Sequence, residues 1–175
     1  MATLNCLVAQ SSDDWDDIDS TGTSITARAI RDPFGTPTAI ESAFADITTS
    51  GIDSSWTINS AILHFNTEGC TIEPRGEYWQ TIIYMHNGSD FVNIDESAAD
   101  RPNGWDSITL TATEIGYINR SGKTSFKFWV PLSSTWGSTH YWSILSYDTA
   151  PASAVYLEID YTVPSTLRRR VIIIG

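Results

Sequence analysis

Apolar and polar residues alternate along much of this 175-residue chain. A period of two is typical of β-strands that bury one face. The alternation is clearest in residues 60–66 and 154–162, where every second side chain is apolar and predicted to face a core. These inward positions are Ala61, Leu63 and Phe65 in the first segment, and Val155, Leu157, Ile159 and Tyr161 in the second.

Further strands are predicted at residues 4–9, 24–30, 78–86, 107–112, 124–130 and 141–146. In the segment 124–130, Phe126, Phe128 and Val130 share one face, which leaves Lys127 and Trp129 on the other. Residues 38–47 fit either a strand or a helical turn, and residues 113–118 predict a short helix. Eight or more strands, at most one or two helical turns and no alternation of strands with crossover helices predict an all-β fold, a two-sheet antiparallel β-sandwich of jelly-roll type.

Composition supports this fold and restricts the partners. Seven Trp, seven Tyr and six Phe suit half-buried strands, and only 18% of the residues are charged. The net charge is -11, although three of the ten basic residues form the run 168–170. We therefore expect neither nucleic acid nor a membrane surface as partner, because both repel an acidic body. Solubility alone would also explain the acidity.

The two cysteines, Cys6 and Cys70, do not form a disulfide framework. Both lie in or beside apolar strand-like runs, so two buried thiols and a single bridge between them both remain open. The N-terminus lacks the features of a signal peptide, and no apolar run approaches the roughly 20 residues of a membrane span. We therefore expect a protein that is made and kept in the cytosol, or that leaves the cell by lysis.

Catalytic motifs are absent from the sequence. The paired carboxylates lie in loop-like polar stretches, where solvation explains them, and we expect no enzymatic activity. The acidic loop Asp13–Asp19 offers oxygen ligands for calcium but lacks the EF-hand pattern. The histidines do not cluster with the cysteines, which argues against zinc. No cofactor is predicted.

Seven tryptophans are many for this length, and aromatic rings are the platforms on which sugar rings stack. For any single tryptophan, packing in a core is the commoner role. The candidates for glycan binding are Trp129, Trp56 and Trp79. Trp129 is the most informative of them because its strand places it opposite a predicted core face.

The C-terminal segment 165–175 is predicted to be separate from the sandwich of residues 1–164. It combines basic and apolar residues that need a partner: Arg168, Arg169, Arg170, Val171, Ile172, Ile173 and Ile174. Consecutive β-branched residues at a chain end require a strand partner. Two interpretations remain open: a last edge strand of this domain, or an assembly arm that augments the sheet of a neighbouring subunit.

Two sequence segments carry a resemblance to a known family. Residues 58–65 read Ile-Asn-Ser-Ala-Ile-Leu-His-Phe. Near the end of the chain, residues 150–153 read Ala-Pro-Ala-Ser and residues 155–161 read Val-Tyr-Leu-Glu-Ile-Asp-Tyr. In their order along residues 4–163 they resemble the carbohydrate-binding-module-like DNRLRE domains, jelly-roll modules of bacteriophage virion proteins and secreted bacterial proteins.

The resemblance implies a phage structural protein: a capsid decoration (cement), neck or tail-associated subunit located in the virion. Its expected partners are other virion subunits and further copies of itself, in a homo-oligomer. The alternative is a carbohydrate-binding module that attaches to glycans on the host surface.

Overall fold

The computed structural model describes residues 2–7, 24–31, 34, 37–72, 81–97, 101–130, 139–145 and 155–164. These residues form eleven strands and one short helix. The elements are β1 (Ala2–Leu7), β2 (Ser24–Arg31), β3 (Pro37–Glu41), β4 (Ala43–Thr48), β5 (Thr57–Thr71), β6 (Thr81–His86), β7 (Phe91–Ser97), β8 (Gly104–Thr109), α1 (Ala112–Ile115), β9 (Lys123–Trp129), β10 (Thr139–Leu145) and β11 (Tyr156–Thr162).

The strands pair into two antiparallel sheets that pack face to face. The larger sheet has the order β1-β11-β5-β10-β2-β3, with β8 also paired to β5, and the smaller sheet has the order β4-β9-β6-β7. The chain crosses repeatedly from one sheet to the other, because β4, β6, β7 and β9 alternate in sequence with strands of the larger sheet. The predicted all-β sandwich is confirmed.

The alternating side chains fill the space between the sheets, as the sequence predicted. Ala61, Leu63 and Phe65 are completely buried, and so are Phe126, Phe128 and Val130 on the facing sheet. In β11 the inward positions Leu157 and Ile159 are equally buried, but Tyr161 is only half-buried. A β-bulge between Asp160 and Tyr161 shifts the register there, which ends the alternation.

The structure decides the ambiguous segment 38–47 in favour of strands and corrects several boundaries. The segment is divided at Ser42 between β3 in the larger sheet and β4 in the smaller one. Ala112 was expected to end a strand, but it begins the short helix. The helix starts there because Thr111 and Glu114 form a capping box. Strand β7 was not predicted, and β8 begins three residues earlier than predicted.

The buried side chain of Arg101 joins the two sheets where β6 and β7 of the smaller sheet face β8 of the larger one. Arg101 donates hydrogen bonds to the carboxylates of Asp95 on β7 and Asp106 on β8, and to the Thr81 hydroxyl on β6. A bulge between Ile83 and Tyr84 in the pairing with β7 lets Asp95 lie opposite the buried Ile83. The two inward-facing carboxylates thus share one cation, and each keeps partial contact with water, with 29% of its side chain exposed.

The register excludes the disulfide that the sequence left open. Cys6 lies opposite Leu157, which in turn lies opposite Leu63 on β5. Cys70 is on the same strand as Leu63 but further along, opposite Trp142. At about 3.3 Å per residue the two cysteines are roughly 20 Å or more apart, whereas a disulfide requires Cα atoms within about 7 Å.

Candidate functional site

An aromatic cluster lies on the outer face of the larger sheet. Trp105 of β8 is 50% exposed, and its ring meets the ring of Tyr156 edge to face at 5.6 Å between centroids. Tyr156 stacks on His64 with centroids 4.5 Å apart and planes 11° from parallel. Nε2 of His64 lies 3.4 Å from a carboxylate oxygen of Glu158. We call these four residues the Trp105 cluster.

The buried arginine explains why this tryptophan faces solvent. Side chains on a strand alternate between its faces, and Asp106 is opposite the buried Phe65. Asp106 must therefore point inward, where it binds Arg101. Its neighbour Trp105 must therefore point outward, although hydrophobicity alone would favour an inward tryptophan and an outward aspartate.

A second candidate site is a hollow on the outer face of the smaller sheet. Its volume is about 330 Å³. Ser125 lies opposite Asp46 in the strand pairing, and His86 lies opposite Phe91. The small side chain of Ser125 therefore leaves a space between the larger side chains around it. The residues that line the hollow are Phe44, Asp46, His86, Phe91 and Ser125.

The two phenylalanines lean toward each other across the sheet. Phe44 is on β4 and Phe91 is on β7, the two edge strands, yet their ring centroids are only 5.7 Å apart, in an edge-to-face arrangement. The His86 ring meets Phe91 edge to face at 5.2 Å. The rings thus form an apolar wall beside the polar groups of the hollow.

A lysine lies within this aromatic group. The Lys127 ammonium is 4.2 Å from the Tyr84 ring centroid and 5.1 Å from that of Phe91. Burial raises the pKa of the Tyr84 phenol above its ordinary value, and the Glu96 carboxylate raises it further. The faces of these rings that attract cations are therefore already used by a cation of the chain itself.

A neighbouring polar hollow of about 370 Å³ continues the first one toward α1. It shares His86 and Ser125 with the aromatic hollow. Its further polar side chains come from the turn after β6, the loop after α1 and the start of β9: Asn87, Asn119, Lys123 and Thr124. The two hollows thus adjoin at His86 and Ser125, with phenylalanine rings lining one and side-chain amides lining the other.

Of the tryptophans selected from the sequence, Trp129 and Trp56 lie on different sheets. Trp129 is half-buried on β9, opposite Ile82, on the same face as Lys127 but outside the lining of either hollow. Trp56 precedes β5 in the larger sheet and stacks on Tyr161 at 4.3 Å with planes 8° apart. Trp79 lies outside the described residues, as do the acidic loop 13–19 and the tail residues 168–174.

The residues that form the two sites were not selected by reasoning from the sequence. Trp105 was missed because the predicted strand began at Ser107. Phe44 lay in the segment that fitted two structures, and Phe91 in a strand that was not predicted. One feature of the sequence could have identified Trp105. It is two residues before Ser107 and four before Thr109, so a strand extended to residue 105 would place all three side chains on the same outward face.

No protein-family model matches this chain, and the search of curated proteins finds no relative. Among the described residues, no three His, Cys, Asp or Glu side chains group in a way that could hold a metal ion. Within the same residues, no helix is long and apolar enough to cross a membrane.

Proposed function

We propose that this protein is a non-catalytic structural subunit of a bacteriophage virion, a capsid decoration, neck or tail-associated protein that binds other virion subunits. The observation that carries the proposal is the half-exposed Trp105 on the outer face of the larger sheet. Exposed tryptophan and tyrosine are the side chains that most often anchor protein–protein contacts, and burial of an aromatic anchor releases water from a large apolar area.

The surroundings of Trp105 define the partner surface that would fit it. Tyr156 and His64 extend the aromatic surface on one side, and Glu158 adds a carboxylate. A complementary surface would have an apolar pocket for the indole and a basic or hydrogen-bonding rim. Such an arrangement matches the usual anatomy of interfaces, an apolar centre within a polar border.

Two features of the sequence support the assignment to a virion. The tail Arg168–Ile174 combines three arginines with four β-branched residues, a composition suited to strand addition on an acidic neighbour. The resemblance to jelly-roll modules of phage particles adds the biological setting. The proposal includes self-association, which light scattering of the purified protein measures directly.

The test is co-sedimentation of the purified protein with particles of the encoding phage that lack their own copy of it. We expect deletion of residues 168–175 to abolish binding and Trp105→Ser to weaken it at least tenfold. The matched control is Phe34→Ser, which removes another exposed aromatic side chain, 85% exposed between β2 and β3. Near-ultraviolet circular dichroism verifies that each variant is folded.

Two results would overturn the proposal. One is co-sedimentation of the folded tail deletion and of Trp105→Ser at the level of the unaltered protein. The other is an equal loss of binding in the Phe34→Ser control, because this would assign the effect to general surface apolarity rather than to the Trp105 cluster.

A further inference from the structure

We infer that β4 is the acceptor strand for the C-terminal tail of a second copy of this chain, so that residues 168–174 of one protomer add to the β4 edge of the next. The inference rests on the proposed assembly role and names the strand that receives the tail. Among the described strands β4 pairs only with β9, so it is an edge of the smaller sheet. Its six residue pairs with β9 follow one another without a bulge. A regular edge strand is a template for a further strand.

The main chain of β4 directs hydrogen-bonding groups toward this edge. In an antiparallel pair, residues bonded to the partner strand alternate with residues whose N–H and C=O groups point away from it. The Thr49 N–H donates to the Gly122 carbonyl over 2.9 Å, and this bond fixes the alternation along β4. Asp46 and Thr48 are therefore among the residues whose N–H and C=O groups point away from β9. An incoming strand would meet both.

The other edge strands that the structure describes are less suited to this tail. β7 has a bulge and turns Asp95 inward, and β8 turns Asp106 inward. Bulges and inward charges discourage strand addition. In β3 the pairing shifts beside Pro37, which has no N–H to donate. β1 is regular but contains no acidic residue. Among these strands, β4 alone combines a regular register with an acidic side chain.

Charge favours the tail as the added strand. The tail carries three arginines, whereas the rest of the chain has 21 acidic residues against seven lysines and arginines. The Asp46 side chain is on the outer face, since its neighbours Ala45 and Ile47 are completely buried. Its carboxylate forms no hydrogen bond or ion pair among the described residues, although Lys123 and Lys127 are on the neighbouring strand. An arginine on the next strand would supply a partner.

One register brings the charged and the apolar parts of the tail into place together. When the tail runs antiparallel to β4 with Arg170 opposite Asp46, Ile172 lies opposite Phe44. Pairs of opposite charge, and pairs of an aromatic with a β-branched residue, are cross-strand combinations that stabilise sheets. The same register turns Val171 toward the inner face of the sheet. A shift by one residue would turn Arg170 inward instead.

The chain leaves its own sandwich immediately before the tail. Thr162, Val163 and Pro164 are all exposed, and a residue that precedes proline, here Val163, is held in an extended conformation. An exposed, extended exit directs the following residues away from the sheets of the same copy and toward a neighbour. Each copy then has one donor tail and one acceptor edge. Association is therefore head-to-tail, and it ends in a closed ring or continues as a filament.

The test measures self-association of the full chain by sedimentation velocity over a range of concentrations. The unaltered protein should form oligomers as its concentration rises. Asp46→Arg and Arg170→Glu should each weaken association at least tenfold, because each places like charges opposite one another. Both substitutions in one chain exchange the two charges and restore their attraction. This double variant should associate to within threefold of the unaltered protein.

A control and a cross-link make the test specific. Glu96→Arg makes the same charge reversal on β7, at the other edge of the smaller sheet, and should associate like the unaltered protein. For the contact itself, a mixture of Asp46→Cys and Arg170→Cys chains should form a disulfide between copies on mild oxidation, because residues opposite each other in a sheet are close enough to be bridged. A mixture of Glu96→Cys and Arg170→Cys chains should not. Near-ultraviolet circular dichroism verifies that each variant is folded.

Three results would contradict the inference. The first is a monomer at every concentration, which would leave each tail with its own copy. The second is unchanged association of the folded Asp46→Arg variant, and the third is an equal loss in the Glu96→Arg control. Particle binding is measured separately. Association that depends on Asp46 and Arg170 without co-sedimentation would contradict only the proposed function, whereas co-sedimentation with association that neither substitution affects would contradict only this inference.

Discussion

Nη1 of Arg101 donates a hydrogen bond of 3.0 Å to the Asp106 carboxylate and thereby fixes β8 against the rest of the sandwich. The same guanidinium binds Asp95 on β7, and its carbon lies 5.7 Å from the Phe65 ring centroid and 5.4 Å from that of Trp142. Charged side chains that point inward from edge strands discourage pairing with foreign strands. One cation therefore stabilises two edges that would otherwise carry uncompensated buried charges.

Loss of this cation should be strongly destabilising. Arg101→Met leaves the carboxylates of Asp95 and Asp106 facing the core without a counter-charge, and removal of one member of a buried ionic group costs about 3–5 kcal/mol. Both carboxylates keep some contact with water, with 29% of each side chain exposed. We therefore expect a loss near 3 kcal/mol in the free energy of unfolding, measured by urea denaturation.

The matched control replaces the whole group. In Arg101→Met with Asp95→Leu and Asp106→Leu no buried charge remains, and apolar replacement of a buried ionic group is often close to neutral. This variant should recover at least half of the lost stability. A single Arg101→Met variant that loses less than about 1 kcal/mol would show that the ionic group is not structural.

The same residues show what the sequence could predict and what it could not. The central parts of β5, β9 and β11 were predicted because their alternation is set by burial alone. In β8, Asp106 occupies an inward position and Trp105 an outward one, whereas hydrophobicity alone predicts the opposite placement. Only the position of Arg101, contributed by the preceding loop, makes that arrangement favourable.

Strand β7 escaped prediction for a related reason. The bulge beside Ile94 breaks the period of two, and Asp95 faces the core through its contact with Arg101. The hollow could not be predicted either, because its walls come from β4 and β7, whose residues Phe44 and Phe91 are 47 positions apart in the sequence. Their meeting depends on the strand order of the smaller sheet.

The aromatic centre of the core is a second site for a test. Phe65 is completely buried, and its ring contacts those of Phe128 and Trp142 edge to face at 5.8 and 5.6 Å between centroids. Phe65→Ala should cost about 3–5 kcal/mol, because it removes a large apolar side chain and leaves a cavity. Urea denaturation measures the change.

Phe34→Ala is the control for that variant. Phe34 is 85% exposed, and exposed substitutions usually change the free energy of unfolding by less than about 0.5 kcal/mol. Equal losses in the two variants would contradict the assignment of Phe65 to the centre of the core.

Alkaline pH should destabilise the protein through Tyr84. Its pKa is raised above 10.0, first by burial and then by the Glu96 carboxylate. The folded state therefore retains the phenolic proton at a pH where the unfolded state releases it. The free energy of unfolding is unaffected by this group below pH 10 and falls as the pH rises from there through the folded-state pKa.

Urea midpoints measured from pH 8 to pH 11 test this prediction. In Tyr84→Phe the alkaline decrease should be less steep than in the unaltered protein, since one of the seven tyrosines no longer titrates. Glu96→Gln should reduce the decrease partly, because it removes the second cause of the shift. Parallel curves for all three proteins would refute a contribution from Tyr84.

A buried hydroxyl network holds the loop that borders the polar hollow. The Thr124 hydroxyl accepts a hydrogen bond from the Asn119 backbone N–H over 3.0 Å and lies 2.8 Å from the hydroxyl of Thr49. The Thr49 hydroxyl in turn donates to the Asn119 carbonyl over 2.6 Å. These contacts fix Asn119, which lines the polar hollow, relative to β4 and β9.

Thr124→Val keeps the shape of the side chain but removes both hydrogen bonds. It leaves the part-buried Asn119 N–H without its protein partner, so we expect a cost of about 1 kcal/mol, the lower end of the range for a fully buried unsatisfied group. Thr124→Ser keeps the hydroxyl and should cost about 1 kcal/mol for the lost methyl group. Hydrogen exchange at the Asn119 amide separates the two, because its protection should fall in the valine variant and persist in the serine variant. Equal protection of the amide in both variants would show that another group holds this loop.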